Sequence, residues 1–332
     1  MGAQPGGTRR QQWRHIGNHA DVAGGIIAEF LNATTTDKVR NACQPHRQHH
    51  CWMPRPAQSL RQAWYTSATE ARTIAKPQQR GLSMSTHPQP DIHIFPTPAA
   101  LADEAARRFV ALAQAAITAR ERFTVAFSGG STPRALHQRL ASAPLCNAID
   151  WAKVYVYWSD ERLVPPDDAE SNFRMARETL LDHVPIPAAN IVPVPTVGGT
   201  AKDAAAAYAE TMIAQFGSEL PQFDLILLGM GPDGHTASLF PGQPEPTAPG
   251  DALVFAVHHA PKPPPDRVSF SYKLINAART VLLLVAGADK AETVRQVLRG
   301  APDRAKLPVQ GVQPTHGQLS WLLDEAAARD LQ

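Results

Sequence analysis

From residue 91 onward the apolar positions switch repeatedly between a period of two and a period near 3.6. Residues 92–95, Ile-His-Ile-Phe, read as a strand. Thr97 and Pro98 then open a helix, Thr as the N-cap and Pro at the first helical position. Leu101, Ala105, Phe109, Leu112 and Ala116 keep to one face of that helix. A short apolar, β-prone run at 123–127 leads through a loop into a helix from Pro133 to about Ala143. Residues 154–158 predict a strand, 172–181 a helix, 191–194 a strand and 202–216 an Ala-rich helix. Residues 223–228 form a continuous apolar run, as a central parallel strand requires. Short strands are predicted at 253–257 and 267–271, a buried strand at 280–286, a helix at 289–298 and a terminal helical stretch near 324–331. This alternation predicts an α/β fold: an open, mainly parallel, Rossmann-like sheet flanked by helices on both faces. Residues 84–332 fit one domain of that class.

The first 83 residues differ in kind. They are rich in Gln, His, Arg and Pro, and their one short apolar run is Ile26, Ile27, Phe30 and Leu31. With no sustained period they have little to bury against a core, so disorder is expected. Charge divides the same way. Residues 1–83 hold 11 Lys+Arg against 4 Asp+Glu, a net of +7, and residues 84–332 hold 21 against 26, a net of −5, within a whole chain of +2. Met84 is therefore the expected true start, and 1–83 a basic extension. The segment is Arg-rich and acid-poor like a transit peptide, but it is poor in Ser and has no clear amphipathic helix at its start. Cys43, His46, His49, His50 and Cys51 have metal-ligand chemistry. They lack the two separated ligand pairs of a zinc module, and chance is the better reading.

Composition changes the picture only by exclusion. With 43% hydrophobic and 19% charged residues the chain has the make-up of a soluble globular protein. No stretch nears 18 uninterrupted apolar residues, so no membrane-spanning helix and no membrane partner are expected. Three Cys cannot form a disulfide framework, and a reducing, cytoplasmic setting is the expectation. The near-neutral total argues against a dedicated nucleic-acid binder.

In open α/β sheets ligands bind beyond the carboxyl ends of the strands. Three loops there carry chemistry. Ser128-Gly129-Gly130-Ser131-Thr132-Pro133 joins a strand to a helix. Its Gly residues let backbone N–H groups approach an anion, its hydroxyls add donors, and the helix N-terminus favours negative charge. The competing reading is a tight turn with an N-cap. Ser159-Asp160-Glu161-Arg162 follows the next strand, with Ser171-Asn172 beyond it. Asp160 could move a proton and Arg162 could bind an oxyanion, or the run could be a solvated loop. The third loop runs from Gly229 to Pro241 and contains Asp233 and His235, a carboxylate and an imidazole close enough to share a site. A His can act as a base near neutral pH while a carboxylate fixes its tautomer. Arg267, after the Pro-rich loop 262–266, and Lys290, before a helix, are cations that could neutralise a phosphate.

Together these residues resemble the bacterial-type 6-phosphogluconolactonases, which share a fold with glucosamine-6-phosphate deaminases and ribose-5-phosphate isomerases. The signatures are SGGSTP at 128–133, SDER at 159–162 with SN at 171–172, GMGPDGHTASLFP at 229–241, KPPPDRVSFS at 262–271 and LINAARTVLLLVAGADKA at 274–291. The resemblance covers roughly 92–331 and implies a glucosamine-6-phosphate isomerase/deaminase-like fold. It implies hydrolysis of 6-phospho-D-glucono-1,5-lactone to 6-phosphogluconate, the second step of the oxidative pentose phosphate pathway, with no metal or organic cofactor. Carried across, His235 would activate water and Asp233 would orient it, while Asp160 and Arg162 would line the lactone end. Ser128, Gly129, Gly130, Ser131, Thr132, Asn172, Arg267 and Lys290 would hold the rest of the substrate, its phosphate above all. The only partner implied is the small sugar-phosphate lactone, bound by a monomer or small homo-oligomer. The nearest rival is an amino-sugar-phosphate isomerase or deaminase, which calls for Asn-Glu-Pro after the His, where this chain has Thr-Ala-Ser-Leu-Phe-Pro. A non-catalytic sugar-phosphate sensor would need a DNA-binding module, and 1–83 shows no helix-turn-helix pattern.

Overall fold

The computed structural model describes residues 72–73, 91–243 and 252–331. The expected disorder of 1–83, the start at Met84 and the cluster at Cys43–His50 with Cys51 lie outside the described residues, apart from the pair at 72–73.

Ten strands are described: β1 (Arg72–Thr73), β2 (Asp91–Phe95), β3 (Phe123–Phe127), β4 (Val154–Trp158), β5 (Asp160–Arg162), β6 (Leu225–Leu228), β7 (Val254–Val257), β8 (Arg267–Phe270), β9 (Thr280–Val285) and β10 (Gln318–Asp324). The main sheet has the order β1-β2-β10-β9-β6-β3-β4, parallel throughout except for the antiparallel β1–β2 pair. This is the open, mainly parallel α/β sheet that the alternating pattern predicts. Every residue of β3, β6 and β9 is buried, which is why these three strands read as unbroken apolar runs. From β3 the chain moves outward to β4 and later returns to the opposite side of β3 as β6. The loops after β3 and β6 therefore part from each other, and such a reversal opens the crevice where α/β proteins bind ligands.

The helices are α1 (Pro98–Arg120), α2 (Ser131–Leu140), α3 (Asn172–Thr179), α4 (Ala201–Phe216), α5 (Tyr272–Asn276), α6 (Ala291–Arg299) and α7 (Glu325–Ala328). Helix α1 starts as its sequence dictates. Thr97 accepts the N–H of Ala100, Pro98 occupies the first turn, and Leu101, Ala105, Phe109 and Ala116 are buried. Phe109 meets Phe123 edge-to-face, with ring centroids 5.2 Å apart. Truncating Phe109 to Ala would open a cavity costing about 3–5 kcal/mol. At the same end of β3, Asp224 is buried and accepts the N–H and hydroxyl of Thr124 at 2.9 and 3.0 Å, while Arg120 pairs with it at 2.6 Å. This bond network ties the start of β6 to β3.

Two expectations are corrected, and one strand was not predicted. Residues 191–194 form no strand; a single bridge joins Ile191 to Val156, because Pro193 and Pro195 have no N–H to give a ladder. The terminal helical stretch is preceded by β10, a central strand. Residues 160–162 are not a loop but β5, which with β8 and β7 forms a second, antiparallel sheet. Cys146, buried in a short 3-10 turn, is disulfide-bonded, which the sequence reading did not anticipate. Among the described residues no helix is long and apolar enough to cross a membrane.

Candidate active site

The loop after β6 is folded by its own backbone. Gly231 N–H donates to the carbonyl of His235 at 2.9 Å, Gly234 N–H to the carbonyl of Gly231 at 3.0 Å, and the Thr236 hydroxyl to the carbonyl of Gly229 at 2.8 Å. Inside this coil His235 Nδ1 bonds the Asp233 carboxylate. Burial pushes the Asp233 carboxyl up, but the bond from His235 and the charges of His235 and Lys262 outweigh it and hold the group well below the usual carboxylate range. An ionised carboxylate only accepts, so Nδ1 donates in this bond, and in the neutral form of the ring Nε2 is then the acceptor. The imidazole lies over Phe240 at 4.9 Å between centroids. A Cβ on Gly231 would fall 2.1 Å from His235 Nδ1 and Cε1 and 2.5 Å from Asp233 Oδ1. Only a hydrogen at that position leaves the pair room.

Lys262 is the residue that sequence reasoning missed. Its ammonium stands 3.4 Å from Asp233 Oδ2 and 3.3 Å from His235 Nδ1. With Nδ1 protonated, the contact with the ring is a proximity of charge and the attraction runs to the carboxylate. The signal available was a lysine beside three consecutive prolines, a cation on a stiff loop. Arg267, at the start of β8, braces that loop. It is 4% exposed and donates to the carbonyls of Pro264, Lys262 and Pro263 at 3.1, 2.9 and 3.3 Å. Burial pulls its guanidinium below the ordinary range, with Asp160 opposing the shift and Arg162 adding to it.

The second sheet explains how the charged run 160–162 is divided. Side chains alternate along a strand. Asp160 and Arg162 share one face of β5 and pair with Ser269 and Arg267 of β8, while Glu161 points the other way. Asp160 accepts the Ser238 hydroxyl at 2.8 Å, and Ser238 N–H donates to Ser269 Oγ at 3.2 Å. These bonds fasten the His235 loop to the second sheet. Arg162 and Arg267 are directly opposite each other. Like charges so placed repel, and an anion between them would relieve the repulsion. Arg162 donates to the Glu170 carbonyl at 2.6 Å, and its Nε is buried without a partner among the described residues.

After β3, Ser128 is buried and its hydroxyl has no partner among the described residues. Gly129 lies against the Asn172 amide, where an added Cβ would be 2.0 Å from Oδ1. Gly130 is the N-cap of α2, and Ser131 and Thr132 form its first turn, so the N–H groups of that turn face outward. This matches an anion cradle as well as it matches a turn. Asn172 donates to the Asp160 carbonyl at 2.9 Å, bridging this loop to β5. Lys290 follows β9 and adjoins the start of α6. Its ammonium rests on Asp289 at 2.9 Å, and its helix reaches the His235 loop through the Thr293 hydroxyl, which donates to the Pro232 carbonyl at 2.6 Å.

The sequence profile described as glucosamine-6-phosphate isomerases/6-phosphogluconolactonase matches residues 96–321. The chain belongs to this family. A 6-phosphogluconolactonase of Synechocystis is 43% identical over 65% of this chain and 88% of its own length. The solved 6-phosphogluconolactonase of Trypanosoma brucei superposes with a TM-score of 0.65 at 32% identity, covering 74% of this chain and 99% of that one. A monomeric glucosamine-6-phosphate deaminase superposes with a TM-score of 0.61 at 19% identity, over 72% and 99% of the two chains. At that identity the likeness is one of fold. Family members thus divide between two chemistries on one scaffold, and the site has to decide between them.

Proposed function

We propose that the chain hydrolyses 6-phospho-D-glucono-1,5-lactone to 6-phosphogluconate, as the second step of the oxidative pentose phosphate pathway in the cytoplasm. The carrying observation is the Asp233–His235 pair: an ionised carboxylate on Nδ1, Nε2 left as an acceptor, and both side chains seated on Gly231. The relatives named above support the substrate, and so does the Thr-Ala-Ser-Leu-Phe-Pro continuation after His235.

A lactone is an activated ester, so a base, a placed water and charge stabilisation suffice. His235 Nε2 takes a proton as water attacks the C1 carbonyl. The C1–O bond to the ring oxygen then breaks, and the imidazolium can return its proton to that oxygen. Asp233 fixes the tautomer and balances the imidazolium, and Lys262 adds to the charge that favours the carboxylate. Arg162, beside Asp160, is the candidate to stabilise the developing oxyanion. The loop 128–132 at the N-terminus of α2, Asn172 and Lys290 take the phosphate end. Arg267 braces the Lys262 loop through Nε and Nη2. Binding at the phosphate holds C1 in place for the water.

The test is turnover of freshly made 6-phosphogluconolactone by the full chain, with spontaneous hydrolysis subtracted, beside glucosamine 6-phosphate. Turnover of the lactone alone is the expected result. Release of ammonia from the amino sugar with no lactone hydrolysis would replace this reading with the deaminase one.

A further inference from the structure

Glu161 is 2% exposed and has no cationic partner within salt-bridge reach among the described residues; the nearest guanidinium in sequence, Arg162, is turned to Glu170. Its carboxylate instead collects four donors. Oε1 accepts the N–H groups of Arg162 and Asn172 at 2.8 and 2.9 Å, and Oε2 accepts the N–H of Phe173 and the hydroxyl of Ser171 at 2.8 and 3.2 Å. Two of these donors are the free amides of the first turn of α3. Burial pushes the carboxyl up to about 7, the three N–H donors resist, and neighbouring Asp160 adds to the rise. Burying a carboxylate without a cation is costly, and an apolar contact would hold a helix to a strand more cheaply. What the carboxylate provides is direction. Its two oxygens fix the turn 171–173 against β5, and that turn carries Asn172, whose amide donates to the Asp160 carbonyl and lies against Gly129.

We propose that Glu161 is a positioning residue of the substrate site: by clamping the start of α3 it holds Asn172 as the bridge between the β5 backbone and the glycine loop 128–130. The inference rests on the lactonase reading, and it adds to that reading a residue that touches no substrate. A Gln at 161 has one acceptor oxygen and would turn its amide hydrogens toward backbone donors, so the clamp would open on one side. The glycine loop serves the phosphate end, so the damage should fall on substrate binding more than on the chemical step.

The experiment measures kcat and KM for 6-phosphogluconolactone, together with Tm, in wild type, Glu161→Gln, Asn172→Ala and the double variant. Each single variant should raise KM by about tenfold or more with kcat within about threefold. The double variant should be no worse than the poorer single one, because both changes break the same bridge. A purely structural Glu161 would lower Tm and the active fraction and leave KM unchanged; that result in a folded Glu161→Gln overturns the proposal, as do KM effects that multiply in the double variant. Should Glu161→Gln fail to fold, Asn172→Ala decides, since an unchanged KM there removes the bridge from the argument. Wild type without lactone turnover would defeat the lactonase reading itself, which is a separate outcome.

Discussion

Replacing Gly231 by Ala tests the catalytic pair without touching either member. Gly231 is not among the glycines with positive φ, so the backbone accepts Ala without strain. The added methyl meets His235 Nδ1 and Cε1 at 2.1 Å, whereas ordinary contact begins at 3.4 Å. The ring, packed on Phe240 and tied to Asp233, must retreat by roughly 1 Å, and a misplacement of that size costs on the order of 100-fold in rate. The Asp233 bond is compressed from the same side, at 2.5 Å, so the tautomer is disturbed as well. The assay is acid release from saturating 6-phosphogluconolactone, read against the spontaneous rate, with a thermal melt on the same sample. We expect kcat to fall about 100-fold with KM little changed and the melt intact. A folded Gly231→Ala enzyme with kcat within threefold of wild type would refute the reasoning, because either the pair moves freely or it does no chemistry.

Three further outcomes follow from the same geometry. Gly129→Ala, whose methyl would meet Asn172 Oδ1 at 2.0 Å, should raise KM by about tenfold while kcat stays near wild type; steady-state kinetics decide. Arg267→Lys cannot reach the carbonyls of residues 262–264 with a single ammonium. Its loss should cost about 1–3 kcal/mol in urea unfolding and lower kcat/KM through a loosened Lys262; unchanged values of both would count against the brace. His137 is fully buried on Phe127, and burial first, then the charge of Arg134, lowers its pKa to about 3. With a folded value below the unfolded one, stability is intact above about pH 6.5 and declines by about 1.4 kcal/mol per unit until about pH 3. Between pH 7 and 5 this His accounts for a loss of about 2 kcal/mol, which His137→Leu should abolish in paired denaturation curves.

Much of this was legible in the sequence where the signal is local. Thr97-Pro98 starts a helix by its own chemistry, and the buried runs at 123–127 and 280–285 have one plausible fate in an α/β chain. The Gly229–Pro241 loop announced its carboxylate and imidazole because they sit two positions apart. What was lost is what depends on distant pairing. Residues 160–162 look solvated until β8 arrives from a hundred residues downstream to pair with them. Lys262 joins Asp233 from 29 residues downstream, and Glu161 gains its meaning only from the turn at 171–173. Strand β10 was missed because a three-residue apolar run, Trp321-Leu322-Leu323, before a helix does not declare its period. The false strand at 191–194 was readable in principle, since Pro193 within it and Pro195 just after it forbid a ladder.

The central claim is that His235 is the base for lactone hydrolysis. The most direct measurement is kcat for 6-phosphogluconolactone in wild type and His235→Ala, each confirmed folded by its melt. The account predicts a fall of about 100-fold or more; a folded variant with near-normal kcat would contradict it.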